Sequence, residues 1–301
     1  MDVIDLFCGT GGFSCGASQA GATVVLAVEA DVRIAANYTN NFAHDLWVHE
    51  LSEESVTSVI DRARAHPNAH VHGSPPCQKL SAANRTSYDT EEGLRLVRLY
   101  LDIVAAAQPR SWSMEQVNNP QLRELLSSRG VPFTIIDTSD FGVPQRRRRL
   151  VAGSPEIVQA LRSHQGAGPT VLPRDVLDDL QPPERYSLVN GTDNQPIREK
   201  RDGKTVVVGL RRMADDENAR GLDTPAHTVW GKPGKVYDVQ ERRLVRELTA
   251  RECASLQGFP PDFRLDDRSK SRAHKVVGNA VPPPVAKFIA ECAMSLRGAV
   301  S

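Results

Sequence analysis

Gly73-Ser74-Pro75-Pro76-Cys77-Gln78 places a thiol directly behind two prolines. Proline fixes φ and stiffens the chain, so Cys77 stands on a rigid approach. Its thiolate is the reactive form and can act as a nucleophile. The competing reading is a half-buried structural cysteine that packs as a small apolar residue. Met114-Glu115-Gln116-Val117 puts a carboxyl at the end of another apolar run. Glu115 can serve as an acid or hydrogen-bond partner to a heterocycle, or stand as a solvated or salt-bridged glutamate. Gln145-Arg146-Arg147-Arg148-Arg149 follows Gly142-Val143-Pro144. A run of four arginines reads as a solvated or phosphate-binding patch. In an extended segment Arg147 and Arg149 would share one face.

A second group of residues suits a small ligand. Asp5-Leu6-Phe7-Cys8-Gly9-Thr10-Gly11-Gly12-Phe13 ends an apolar run in glycines, which let the backbone turn tightly and approach a ligand. A helix starting there would offer free N–H groups to an anionic group. The spacing departs from the dinucleotide pattern G-x-G-x-x-G, because Ser14 holds the third position. Glu29 ends the next apolar run, where an acid can grip ribose hydroxyls. These residues suit adenosylmethionine or a nucleotide cofactor, and they also suit a plain turn.

The elements that must position these residues alternate. Val3–Cys8, Thr23–Glu29, Leu46–His49, Ala69–His72, Ser111–Val117, Pro132–Asp137 and Leu150–Ala152 read as strands. Helical patterns cover Phe13–Ala20, Val32–Phe42, a segment capped by Ser52, and Thr90–Gln108. This alternation predicts an α/β fold with a mostly parallel sheet, whose ligands sit beyond the carboxyl ends of the strands. Residues 155–240 read as a separate, irregular, loop-rich region rich in Gly, Pro and Asp. Thr249-Ala250-Arg251-Glu252 then forms a capping box, Gly258 ends that helix, and Pro282-Pro283-Pro284 leads into a last helix from Val285 to about Leu296.

The bulk numbers bound the class. The 301 residues are 40% hydrophobic and 25% charged, with a net charge of +0, as in an ordinary globular protein. The neutral balance gives no electrostatic footprint for nucleic acid. Basic residues exceed acidic ones over 241–275, which together with Arg146–Arg149 is the better phosphate-binding stretch. The cysteine count is odd, without C-x-x-C spacing, which predicts a reducing compartment and no structural metal site. No apolar run is long enough to span a membrane, and the start does not read as a signal peptide.

In this order the motifs resemble the DNA (cytosine-5) methyltransferase family. Asp5–Gly12 is similar to its adenosylmethionine loop, Pro75-Pro76-Cys77-Gln78 to its catalytic loop, Glu115-Gln116-Val117 to its E-N-V triplet and Gln145-x-Arg147-x-Arg149 to its Q-x-R-x-R. Arg242–Pro260, which contains Glu252–Pro260, and Gly278–Pro283 are similar to its last two motifs. The resemblance implies a Rossmann-like, S-adenosylmethionine-dependent methyltransferase sheet with a small, loop-rich target-recognition domain. It divides the chain into a catalytic domain of residues 1–154, completed by 270–301, and a recognition domain of 155–269.

The resemblance also implies roles. Cys77 would add to carbon 6 of a flipped cytosine, Glu115 would contact the ring nitrogen and exocyclic amine, Arg149 would support the cysteine and the base, and Arg147 would help hold the site. Phe7, Gly9, Gly11, Glu29, Glu50, Pro76, Asn279 and Val281 would surround S-adenosyl-L-methionine. The implied partner is double-stranded DNA, with a cognate restriction endonuclease in the same system. The chain would act as a monomer in bacterial or viral-host cytosol. Three departures stand out: Gln116 replaces Asn, Glu50 replaces Asp, and Lys79-Leu80 follow the catalytic Gln in place of a small residue and Phe. Arg211, Arg212, Lys232 and Lys235 are candidates for reading base edges. Rival readings are a tRNA cytosine-5 methyltransferase, whose Cys-Phe-Thr signature is missing here, an inert DNA-binding relative, and the same covalent chemistry with a different transferred group.

Overall fold

The computed structural model describes residues 1–76, 80, 90–177, 186–189, 196–201, 204–210, 219–229, 231–238, 240–241, 243–265 and 269–296. Cys77, Gln78 and Lys79 lie outside them, as do Arg211 and Arg212.

The first half alternates: β1 (Asp2–Leu6), α1 (Gly12–Gln19), β2 (Thr23–Glu29), α2 (Val32–Thr39), β3 (Leu46–Val48), α3 (Val56–Ala65), β4 (His70–Gly73), α4 (Thr90–Ala107), β5 (Ser111–Gln116), α5 (Pro120–Ser128), β6 (Phe133–Asp137) and β7 (Arg148–Gly153); α5 stands where no helix was expected, and α3 has Ser55 rather than Ser52 at its N-cap. The seven strands form one sheet in the order β3-β2-β1-β4-β5-β7-β6. Strands β1 to β5 pair in parallel, whereas β7 runs antiparallel to both β5 and β6. The order reverses between β1 and β4, which opens the crevice where ligands of open α/β sheets bind.

Both faces of the sheet are covered, as its apolar strands require. On one face Val97, Tyr100, Ile103, Leu122 and Leu126 pack against Leu6, Val71, Met114 and Leu150. On the other, Phe13 and the final helix meet Val3, Ile136 and Val151.

The chain after 154 is less irregular than its composition predicts. A helix, α6 (Pro155–His164), starts with Pro155, has Glu156 in its first turn and ends with Arg162 and His164. This charge order matches the helix dipole. Its Ile157 and Leu161 bury in the same cluster as Val151 and Val285. The segment just past 154 therefore shares the core of the large sheet. Beyond it come β8 (Tyr186–Val189), the antiparallel pair β9 (Pro196–Arg201) and β10 (Lys204–Leu210), then β11 (Ala219–Gly221), β12 (Lys235–Asp238) and β13 (Arg243–Glu247). Four of them form a second sheet, β11-β8-β12-β13. The Asp202-Gly203 dipeptide between β9 and β10 is a hairpin signal of known mechanism, overlooked in a stretch otherwise rich in breakers.

The chain closes with α7 (Ala250–Leu256), α8 (Lys270–Asn279) and α9 (Pro283–Ser295). The capping box at Thr249 and Glu252 is present. Helix α9 returns to lie on α1, at a distance that only glycine allows. A Cβ on Gly16 would stand 2.1 Å from the Pro283 carbonyl oxygen and 2.6 Å from the Lys287 nitrogen. Both are backbone atoms of α9, so no flexible side chain can yield. Gly16→Ala is therefore expected to cost about 1–3 kcal/mol by overpacking, read as a lower midpoint in thermal or urea unfolding; an unchanged midpoint would show that the two helices slide freely.

Candidate active site

The reversed direction of β7 explains how Glu115 meets an arginine from a distant motif. The first residues of an antiparallel strand lie at the rim where its neighbour's last residues lie; here Glu115 pairs with Val151 and Gln116 with Leu150. Arg149 Nε lies 2.9 Å from Glu115 Oε1. Glu115 is only 7% exposed, and no well-aligned hydrogen bond reaches Oε1. The contact is a charge pairing off the N–H axis, which leaves that buried oxygen short of a well-aligned donor.

The arginines of the run part company. Arg147 is 2% exposed and donates from Nη1 to the Val229 carbonyl at 3.0 Å and from Nη2 to the Ala280 carbonyl at 3.4 Å. It ties the start of β7 to the second region and to the segment before α9. Arg146 and Arg148 are exposed, with Arg146 paired to Asp137 at 3.2 Å. Gln145, to which sequence reasoning gave no role of its own, is a buried hub. Its Nε2 donates to the Leu256 carbonyl and to Gln257 Oε1, while its Oε1 accepts from Val229 N–H.

Beside Glu115, the end of β4 leads into Ser74, Pro75 and Pro76. Ser74 N–H donates to the Leu6 carbonyl at 3.1 Å. Gln116 is buried, donates from Nε2 to the Pro75 carbonyl at 2.9 Å and accepts at Oε1 from Val117 N–H at 2.7 Å. The extra methylene of this glutamine is used, since it spans the gap to the neighbouring loop. Pro76 is exposed.

The glycine loop lies across the crevice at β1. Phe7, Gly9 and Gly11 have φ of 58°, 57° and 94°, a left-handed conformation that favours glycine. A Cβ on Gly9 would meet nothing within 4 Å, whereas one on Gly11 would run into Phe42 and Tyr38. Glu29, at the end of β2, accepts from Gly9 N–H at 3.0 Å and from Asp31 N–H at 2.8 Å. Burial pushes its carboxyl up from the usual range, against those two hydrogen bonds. Val281 is buried with its carbonyl oxygen against Gly12, 2.2 Å from where a Cβ would stand, so the C-terminal segment closes onto the loop. Asn279 is exposed at the end of α8, and Glu50 is exposed beyond β3.

An anchor beneath this loop escaped sequence reasoning. Asp5 Oδ2 accepts from Ser14 N–H at 3.1 Å and Ser14 Oγ at 2.6 Å. Ser14 Oγ also contacts Tyr38 Oη at 2.8 Å. Burial pushes the Asp5 carboxyl up to about 7, although both bonds from Ser14 oppose the rise.

Comparison with known proteins places the chain in a family. The family model for C-5 cytosine-specific DNA methylases matches residues 1–294. The chain belongs to that family. Type II methyltransferase M.HgiDI of Herpetosiphon aurantiacus is 30% identical over 96% of this chain and 93% of its own length. Type II methyltransferase M1.HphI of Haemophilus parahaemolyticus is 29% identical over 99% of this chain and 87% of its own. Among solved structures, a proposed DNA modification methyltransferase encoded within an E. coli prophage superposes with a TM-score of 0.66 at 21% identity, covering 99% of both chains. The Entamoeba histolytica methyltransferase EhMeth does so with a TM-score of 0.63 at 17% identity, covering 99% of this chain and 98% of its own. These two likenesses speak to the fold.

For a C-5 cytosine-specific DNA methylase the implied methyl donor is S-adenosylmethionine, and the rim fits it. Each Glu29 oxygen holds one backbone N–H and keeps lone-pair capacity for ribose hydroxyls. The space before Gly9 is clear. The departure at Gln116 becomes testable as well. Gln116→Leu would leave the Pro75 carbonyl and the Val117 N–H without their partner. Each lost bond in a buried setting costs about 1–3 kcal/mol, so a lower unfolding midpoint together with slower methyl transfer is expected. A variant with wild-type melting and turnover would show that the brace on Pro75 is idle.

Proposed function

We propose that the protein transfers a methyl group from S-adenosylmethionine to carbon 5 of a cytosine in a specific double-stranded DNA sequence, with Cys77 as covalent nucleophile. The observation that carries this reading is the buried Glu115–Arg149 pair beside Pro75, with one Glu115 oxygen lacking a well-aligned donor. A cytosine presents such a donor in its exocyclic amine.

Each residue then has a task. The Cys77 thiolate adds to carbon 6, forming the S–C bond and pushing electron density onto carbon 5. Glu115 holds the ring nitrogen and the amine, and Arg149 fixes the Glu115 carboxyl in place. S-adenosylmethionine, when bound, supplies the electrophilic methyl group. Loss of the carbon-5 proton then reforms the double bond and expels the thiolate. Phe7, Gly9, Gly11, Glu29 and Val281 would line the donor's site, with Glu50, Pro76 and Asn279 at its margins. The addition cannot occur inside a duplex, so the target base must leave the stack. The small sheet and its neighbours, after α6 and before α8, would supply target recognition. A cognate restriction endonuclease would be the counterpart in the same system.

The deciding experiment uses the purified protein, radiolabelled S-adenosylmethionine and duplex DNA containing 5-fluorocytosine, because fluorine cannot leave as a proton does. A labelled, denaturant-resistant adduct mapping to Cys77 is expected. An adduct formed with tRNA but not with DNA would replace the substrate, and label on another residue would replace the nucleophile.

A further inference from the structure

Strands buried on both faces are normally apolar, yet β4 and β5 carry His-x-His and Ser-x-Ser. The registers His70↔Ser111 and His72↔Ser113 set these four residues side by side. All four are at most 1% exposed. They form one continuous array. His70 Nδ1 lies 2.9 Å from Ser111 Oγ and its Nε2 lies 2.8 Å from Ser113 Oγ. His72 Nδ1 lies 2.9 Å from the same Ser113 Oγ, and His72 Nε2 lies 3.3 Å from Ser74 Oγ. Phe13, at the start of α1, lies flat on His72 with ring centroids 3.5 Å apart and planes 1° apart. Period-two geometry puts Glu115 on the same face as Ser111 and Ser113. The polar strip therefore runs along the sheet and ends at the rim in Ser74 on one strand and Glu115 on the next.

Burial pushes His70 down to about 3 and His72 well below its ordinary value, so both imidazoles are neutral. A neutral imidazole has one N–H and one bare nitrogen. Ser113 Oγ has a single proton to share between two imidazoles, so its choice links the tautomer of His70 to that of His72. That choice in turn sets whether Ser74 donates to His72 or accepts from it. Burial disfavours the charged imidazolium that proton conduction along the array would need, and the far end closes at the buried Ser111.

We infer that His72 is a positioning residue: with Ser113 and Phe13 it fixes the Ser74 hydroxyl and, through it, the segment that leads to the nucleophile. The inference rests on the assignment of Cys77 above. Three restraints converge on two consecutive residues: Leu6 on Ser74 N–H, Gln116 on the Pro75 carbonyl and His72 on the Ser74 hydroxyl. The third comes from polar side chains set in two buried strands, where apolar residues are the rule.

The test uses the full chain with S74A, H72N, H72Q and S74A/H72N. S74A removes one rim hydroxyl and leaves Phe13 and the sheet untouched. It is expected to lower kcat about fivefold to tenfold, the order of one neutral hydrogen bond, with the dissociation constant for S-adenosylmethionine unchanged. The asparagine of H72N reproduces the Nδ1 contact and loses the one to Ser74, so H72N should match S74A, and S74A/H72N should be no slower than either. The longer H72Q reaches toward Ser74 and should recover part of the rate. In nitrogen-15 NMR spectra His72 should hold one neutral tautomer, the same in the wild type and in S74A, because Ser113 sets it. Wild-type kcat in S74A, or fully additive losses in the double variant, would overturn the inference. If Cys77→Ser itself still turned over, the assignment beneath it would fall instead, whatever S74A did.

Discussion

Cys77→Ser is expected to reduce methyl transfer to DNA by roughly 10⁴-fold or more, in line with losses seen when an enzyme's nucleophile is removed. A serine hydroxyl at the same place is far less ionised than a thiol, and it lacks the soft sulfur that adds to the conjugated ring and leaves again. Nothing in the donor's site changes. The loop from Phe7 to Gly11 is held by Glu29, Asp5 and Ser14, and Val281 closes it from the C-terminal side. S-adenosylmethionine should therefore bind the variant within about twofold of wild type, by calorimetry. The 5-fluorocytosine adduct should vanish from denaturing gels while cofactor binding survives. Turnover at the wild-type rate would remove Cys77 from the mechanism. Joint loss of binding and turnover would mean that the substitution had damaged the fold, which a melting curve would show.

Much of the site was legible because it rests on local rules. Glycines after β1, prolines before Cys77 and a carboxyl at the end of β5 are each written at one position, and the alternation of strands and helices predicts where they come together. Chain reversal was harder to read. Nothing local in Leu150–Ala152 says that β7 runs against its neighbours, yet that direction alone brings Arg149 to Glu115. The partners of Arg147, the carbonyls of Val229 and Ala280, were hidden for the same reason, since tertiary packing sets them. The buried His–Ser strip did have a signal. Polar residues at period two in two strands with apolar surroundings call for mutual hydrogen bonding, because each would otherwise be buried without a partner. The helix α6 also had one, in its proline, acidic start and basic end, but the surrounding glycines and prolines masked it.

Glu115→Gln tests the other half of the reaction and must be read against stability. The substitution keeps shape and removes a carboxyl. If Glu115 holds the ring nitrogen and amine as the thiolate adds, kcat should fall by about 10²–10⁴-fold, the usual contribution of a positioned acid–base group. The substitution also strips Arg149 of its counter-charge. Arg149 is 13% exposed and Glu115 9% at their side chains, so solvent screens the loss only in part. Removing one member of a buried pair costs up to about 3–5 kcal/mol, and the rim position reduces that. A slow enzyme could therefore be merely a loosened one. The double variant Glu115→Gln/Arg149→Met separates the two effects, because it removes both charges and leaves no unpaired ion. Its melting point should recover toward wild type while kcat stays low. Recovery of kcat along with melting would make the pair a structural clamp and send the search for the ring's partner elsewhere on the rim. A low kcat in a well-folded double variant would place the Glu115 carboxyl in the chemistry, with Arg149 as the group that aims it.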